Sequence, residues 1–424
     1  MKKYIRYLKQ ATIGIALSTV VGFLLLVLVY MLPQSRISSH IRASTPTICN
    51  EPLYFSLMTG VGGSTLDNFT ELCYLNLAAV GAEGNPVKSA LSGYEYHSPK
   101  AESYHDTLEL VLENDPSLTK KPSIFRFWNG YLVFLKPLLL LFTYAEIRNL
   151  NLMVQCLLMF LLLHLMHEKK LKKYELPLLL TYLLLNPISL VLNMTFAGFF
   201  YCTVIPCIIM LLVNDKLMKH DLYFLFFMMI GVCVIYFNMN YFQIITFGIP
   251  IVFYFILNGW PKDLRSLFSS GILFFAAWFL GYAGMMVMKW IVYAIFVSPD
   301  IFTTIFTTIT VRTSSANTDL LFSRADAIQR NIEEITKNEW WEFFEVLFIV
   351  SCLAMGLKSR PPLKKWVPQF LIVLILTVIP IIRYFIFANH VFIHCWATYR
   401  CLAMAVFAIN VFCIDFAYQK RKEV

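Results

Sequence analysis

The sequence predicts an all-α polytopic membrane protein: about ten transmembrane helices and a large first extracytoplasmic loop that itself contains helices. Three observations predict it. Hydrophobic residues make up 58% of the 424 and charged residues 14%, with a mean hydropathy of +0.65, far from soluble globular values. The chain carries repeated apolar runs near the length needed to cross a bilayer. Its Lys and Arg gather in short segments between those runs, as orientation signals do.

The first run, 11–32, follows Lys2, Lys3, Arg6 and Lys9. It is longer than the apolar core of a cleaved signal peptide and reads as a signal anchor with a cytoplasmic N-terminus. A polar stretch, 33–130, comes next. Further runs lie at 145–166, 176–192, 196–213, 222–237, 242–257, 267–297, 341–357, 367–388 and 399–416. The run 130–142 is too short to span, and its Lys136-Pro137 suggests a re-entrant or interfacial helix. This divides the chain into 1–32 (cytoplasmic N-terminus and first helix), 33–130 (extracytoplasmic loop), 131–297 (bundle with interfacial helix), 298–340 (second extracytoplasmic loop) and 341–424 (last helices and cytoplasmic tail).

Ten spans from a cytoplasmic start put both termini inside the cytoplasmic membrane. The short inside segments then hold 19 of the 35 Lys and Arg, and the two large outside loops hold 11. That asymmetry sets the orientation. It also removes nucleic acid as a partner despite the net charge of +9, because no basic helix with stacking aromatics lies outside the spans.

The remaining cations, Lys136, Arg148, Lys289, Arg383 and Arg400, fall in or beside apolar segments, with Glu146, Glu342, Glu345 and Asp415. All but Asp415 fall in the outer half. Ionisable groups in spans mark functional cavities, so a polar cavity is expected to open outward. Long side chains near helix ends also snorkel to the interface, which suits Glu342, Glu345 and Arg400 better than Arg383 or Lys289.

The first large loop is too long for a plain connector. Within it "LDNFTELCYLNLAAV" (66–80) has helical apolar spacing. Asp67 stands at its start, with Glu71 one turn on. A general base fits Asp67, and so does an ordinary helix N-cap. In 121–153, Arg126, Trp128, Lys136 and Arg148 alternate with apolar residues; they suit either an interfacial belt or capture of a phosphate or sugar. The second loop ends in an amphipathic stretch suited to lie on the membrane or cap the first loop.

The stretch "FANHVFIHCWATYRCLA" (387–403) holds His390, His394 and Arg400. The two His lack an intervening acid and a third ligand, so an anionic head group suits them better than zinc. No Walker A, GxGxxG, HExxH or GxSxG motif is present. The ten cysteines show no CxxC pair. Cys49 and Cys73, both in the first loop, are open to a disulfide.

The order of elements resembles the GT-C superfamily of integral-membrane glycosyltransferases. "PLLLLFTYAEIRNLN" (137–151) looks like the bacterial segment where an interfacial helix leads into the second span. "LDNFTE", "FRFWNGYLVFLKPLLLLFTYAEIRNLN" and "NHVFIHCWATYRCLA" look like recurring segments of uncharacterised multi-pass proteins of Gram-positive bacteria. The resemblance implies an inverting hexosyl or pentosyl transfer from a polyprenyl-phosphate-sugar lipid to a glycan, lipid or protein acceptor of the cell envelope. It implies Asp67, or else Glu71, as the catalytic acid. No Asp-Glu pair follows the first span, where many members carry their acid. It implies Arg383, His390, His394 and Arg400 as phosphate ligands, with Arg126, Trp128, Lys136 and Arg148 along the substrate path. No cofactor is required by the sequence; a divalent cation is left open.

The rival readings are a polysaccharide repeat-unit polymerase, whose large loop usually comes later, and a lipid-linked sugar flippase or transporter. The latter needs charged groups on both sides of the midplane and favours paired repeats. A non-catalytic scaffold would tolerate loss of Asp67 and the outer arginines alike.

Overall fold

The structure is a computed structural model that describes residues 2–82, 84–122, 124–237, 241–317, 320–358 and 366–418. It has the all-α architecture of a polytopic membrane protein. Among the described residues, seven helices are long and apolar enough to cross a bilayer: Lys3–Tyr30, Tyr144–Glu168, Met194–Lys219, Arg265–Phe296, Glu339–Lys358, Val367–Ile386 and Cys395–Ala417. Their outward faces carry large apolar side chains such as Leu17, Phe160, Leu212, Phe279 and Phe370, which suit lipid and not water. Among the described residues, sheet is confined to three two-stranded antiparallel hairpins.

Three of the ten expected runs do not form one long helix. Tyr223–Phe237 and Ile245–Asn258 have 15 and 14 residues, so each rises roughly 22 Å against a hydrocarbon core of about 30 Å. The run 176–192 breaks into Glu175–Leu184 and Pro187–Leu192. The cause is Asn186-Pro187. Asn186 sits at φ 58° and accepts from the Ser189 amide at 3.1 Å, while Pro187 takes the first position of the new helix, where its missing N–H costs nothing.

Small residues let two helices meet backbone to backbone. A Cβ on Gly231 would stand 2.0 Å from the Trp278 carbonyl oxygen, and one on Gly281 would stand 2.0 Å from that of Met228. These reciprocal glycines lock Tyr223–Phe237 against Leu273–Phe296, as small residues do between membrane helices.

At one end of the bundle, two acids gather the connections. Asp221 binds Lys3, Arg6 and Tyr7. Asp415 accepts from Lys173 (2.5 Å), the Tyr174 hydroxyl (2.6 Å), Trp260 Nε1 (3.1 Å) and Gln369 (3.2 Å). The basic segments expected at 358–366 and 417–424 lie mostly outside the described residues.

Residues 33–130 fold onto the other end. They supply the helices Gln34–Ile48, Asn68–Ala79, Pro86–Ser92 and Tyr104–Glu113 and two hairpins, Tyr54–Ser56 with Thr65–Asp67 and Tyr94–His97 with Thr119–Pro122. Asn68–Ala79 is the hub: every residue except Phe69 is buried. The run 130–142 forms a short helix, Leu132–Leu139, with Pro137 inside it. In the second loop, a capping box at Ser323 and Asp326 starts Arg324–Thr336. That helix packs on the C-terminal turn, where Asn331 donates to the Val391 carbonyl at 3.0 Å, and Glu334 meets the first loop at Gly62.

Candidate functional site

Asp67 ends the strand Thr65–Asp67 and begins the hub helix. One carboxylate oxygen accepts from the Thr70 amide at 3.2 Å, so the N-cap role is real. The other accepts from the Tyr241 hydroxyl at 2.7 Å. The residue is 1% exposed. Burial pushes its pKa up, and the bonds from Thr70 and Tyr241 pull it back down.

Tyr241 connects this acid to a group of cations. Its backbone carbonyl accepts from Arg383 Nη2 at 2.5 Å. Its ring lies 5.9 Å from that of His390 and 5.7 Å from that of His394, and the two imidazoles are 4.9 Å apart. Arg312 donates from Nη1 to His390 Nδ1 at 2.7 Å. Burial first, and then the charge of Arg312, push His394 down to about 4 and Arg126 down to about 10. Arg312, Arg383, His390 and His394 therefore gather around Tyr241, the partner of Asp67, and Arg126 lies within electrostatic reach of Arg312. Among the described residues, no carboxylate pairs with Arg126, Arg312 or Arg383. Arg126 Nε, Arg383 Nε and Nη1, and His394 Nδ1 are buried without a hydrogen-bond partner among the described residues. Buried guanidinium donors without acceptors are costly, and together they form a ready receptor for an anion.

The other sequence candidates hold the fold. Arg400 is fully buried, and its N–H groups are all engaged: Nε with Leu185 O (2.9 Å), Nη1 with Trp396 O (3.0 Å) and Ala397 O (3.4 Å), Nη2 with Gly63 O (2.6 Å) and Ser189 Oγ (2.7 Å). It stitches the break at Leu185–Asn186 to the first loop and has no donor left for a phosphate. Lys136 donates to Ala78 O and Val80 O, both at 2.9 Å, and to Gln34 at 3.1 Å. It caps the carbonyl end of the hub helix, and burial pushes it down to about 7. Trp128 is 1% exposed and spends its indole N–H on Met285 O at 2.7 Å, so no face is open for stacking. Lys289 likewise caps Leu91 O at 2.6 Å.

Arg148 makes a bidentate pair with Glu51 at 2.8 and 3.0 Å and also holds Asn68 at 3.1 Å. Glu71 caps the start of Met194–Lys219, accepting from Met194 N (3.1 Å), Thr195 N (2.8 Å) and Thr195 Oγ1 (2.6 Å). Burial raises its pKa to about 7 against those donors and the charge of Arg148. Cys49 and Cys73 are free thiols. Among the described residues, no three His, Cys, Asp or Glu converge as metal ligands.

Two apolar crevices lie inside the helical layer. One is lined by Met159, Leu178, Tyr182, Phe200 and Phe242 among others. The second is lined by Phe247, Ile251, Phe275, Ile372, Leu376 and Ile379 among others. Arg383 stands one turn beyond Ile379 on the same helix face. Across the crevice, Phe275, Trp278 and Tyr282 stack in series at 6.2 and 5.4 Å, and Tyr282 is within electrostatic reach of Arg383 and Arg312. The second crevice thus ends at Ile379, one turn short of Arg383.

The structure brings together Asp67, Arg126, Arg383, His390 and His394 from the sequence candidates. It adds Tyr241 and Arg312, which sequence reasoning missed. Compared with known proteins, the chain matches no family model, no curated protein and no solved structure.

Proposed function

We propose that this protein is a membrane glycosyltransferase that moves a sugar from a polyprenyl-phosphate donor to a cell-envelope acceptor. The chain then crosses the cytoplasmic membrane ten times, with both termini inside and the two large loops outside. The observation that carries the reading is the gathering of Arg312, Arg383 and two imidazoles around Tyr241, the partner of Asp67, with Arg126 within electrostatic reach of Arg312 and, among the described residues, no carboxylate partner for any of the three arginines. A lipid phosphate neutralises those cations, and the apolar crevice lined as far as Ile379, one turn short of Arg383, receives the prenyl chain.

In this reading Asp67 accepts the proton of an acceptor hydroxyl. The hydroxyl oxygen forms a bond to the anomeric carbon as the bond from that carbon to the phosphate oxygen breaks. The lipid phosphate leaves with the electron pair, and the arginines stabilise the charge that develops there. No cofactor is required, and a divalent cation beside the phosphate is compatible. A flippase path needs charge along the whole bundle; the acids at the opposite end, Asp221 and Asp415, are engaged in ion pairs.

Binding of a radiolabelled polyprenyl monophosphate to the protein in nanodiscs tests the reading. Arg312→Ala and Arg383→Ala should each weaken binding about tenfold or more, the loss of a charge-assisted contact. Lys3→Ala, at the other end, should bind as the parent does. Equal binding by all four proteins overturns the reading.

A further inference from the structure

Beside Asp67 lies a row of aromatic rings that none of the steps above uses. Tyr54 is the cross-strand partner of Asp67 in the first hairpin and is 48% exposed. Its ring stacks near Phe69 with centroids 6.4 Å apart and 20° between planes. Phe69 meets Tyr104 edge-on at 4.6 Å. On its other side Tyr54 meets Trp396 at 5.7 Å. Trp396 in turn lies 6.5 Å from Tyr241 and 6.2 Å from His394. The row therefore runs without interruption from the surface of the first loop to the buried acid and the cations.

Packing does not seal this row, although Tyr104 and Trp396 rest against the main hydrophobic core. Phe69 is the one residue of the hub helix that is not buried, and Tyr104 and Trp396 are also partly exposed. The four rings come from four separate elements of the chain, so no single amphipathic helix accounts for them. A prenyl or acyl chain would be matched by aliphatic side chains, as in the crevice at Ile372 and Ile379. Here three of the four rings carry a polar edge: two phenol hydroxyls and an indole N–H. Flat apolar faces rimmed by hydrogen-bonding edges match a pyranose, which has a C–H face and a hydroxyl rim.

We propose that Tyr54, Phe69, Tyr104 and Trp396 form the acceptor subsite and that the acceptor is a saccharide. Its ring stacks on Trp396 and Tyr54 and presents one hydroxyl to Asp67. This rests on the glycosyltransferase reading for its chemistry and adds to it by choosing a glycan over a protein or a simple lipid. Donor and acceptor then approach Asp67 from different sides: the lipid through the crevice below Arg383, the saccharide along the aromatic row.

The test is saturation-transfer NMR on the protein in nanodiscs free of glycoside detergent, with cellobiose and N,N′-diacetylchitobiose as probes. The parent should saturate protons of one ring face of at least one probe. Tyr54→Ala and Trp396→Ala should each lose about three quarters or more of that signal. Phe306→Ala, an exposed ring on another helix, should retain it. Radiolabelled polyprenyl-monophosphate binding is measured on the same samples and should be unchanged in Tyr54→Ala and Phe306→Ala. Absence of signal from both probes, or an equal signal in Tyr54→Ala and Trp396→Ala, overturns the acceptor subsite even when lipid binding is intact. Saccharide signal that depends on the two rings, with no lipid binding by the parent, supports the subsite and sinks the lipid-phosphate reading instead.

Discussion

The Tyr241 hydroxyl donates to the Asp67 carboxylate across 2.7 Å, joining the hub helix of the first loop to a segment between two membrane helices 174 residues away. The bond does two things. It holds the first loop over the bundle, and it keeps a buried carboxylate more acidic than burial alone would allow. A general base that must be ionised near neutral pH depends on such a donor.

Tyr241→Phe removes the donor and leaves the ring. The pKa of Asp67 should then rise, so the acidic limb of the pH–rate profile should move to higher pH. Transfer at pH 6 should fall more than transfer at pH 8. Rates measured across that range check this; a profile that only scales downward, without moving, assigns Tyr241 a purely structural role.

Arg400→Ala should damage folding before it damages chemistry. Five N–H groups serve five protein acceptors, and their removal leaves buried carbonyls unpaired at a cost of about 3 kcal/mol or more. Thermal unfolding in detergent and the yield of monodisperse protein report it. Wild-type stability with lost activity would return Arg400 to the phosphate site.

Glu71 links stability to pH. Its pKa is about 7 in the folded protein against an ordinary 4.5. The folded state holds the proton more tightly, so the contribution is full below pH 4.5 and is lost as pH rises through 7. At about 1.4 kcal/mol per tenfold the loss is on the order of 3 kcal/mol. Melting temperature should decline between pH 5 and pH 8, and Glu71→Gln should flatten that decline.

The pair of Arg148 and Glu51 should show strong coupling. Its guanidinium is nearly buried at 5% exposure while Glu51 keeps 21%, so loss of Glu51 strands a cation. Glu51→Gln should cost about 2 kcal/mol, and Arg148→Met a similar amount. The double variant should be less destabilised than the sum, which a double-mutant cycle measures.

Seven of the ten apolar runs were legible as long helices because hydrocarbon length and backbone hydrogen bonding leave a chain few options. So was the start of the hub helix at Asp67, since an acid before a helical pattern is a local signal. The break at Asn186-Pro187 was visible as a dipeptide but was outweighed by the hydropathy around it. The roles of Lys136, Trp128 and Arg400 were not legible. A cation beside an apolar run has the same appearance whether it meets a ligand or a neighbouring helix's carbonyls, and the carbonyls of Ala78 and Leu185 are brought by tertiary packing. Tyr241 is one of 22 tyrosines, marked only by the polar interruption between two apolar runs. Arg312 lies in a Thr-rich segment whose fold against His390 no local pattern announces.

The most direct test is transfer of labelled sugar from a polyprenyl-phosphate-sugar lipid extract, with native envelope glycan as acceptor, by purified parent and Asp67→Asn. Asn is as good an N-cap as Asp, so the variant should fold and melt as the parent does. The account predicts transfer by the parent and a fall of about a hundredfold or more in the variant. Equal transfer by both proteins would contradict the role of Asp67, and no transfer by the parent would contradict the enzyme itself.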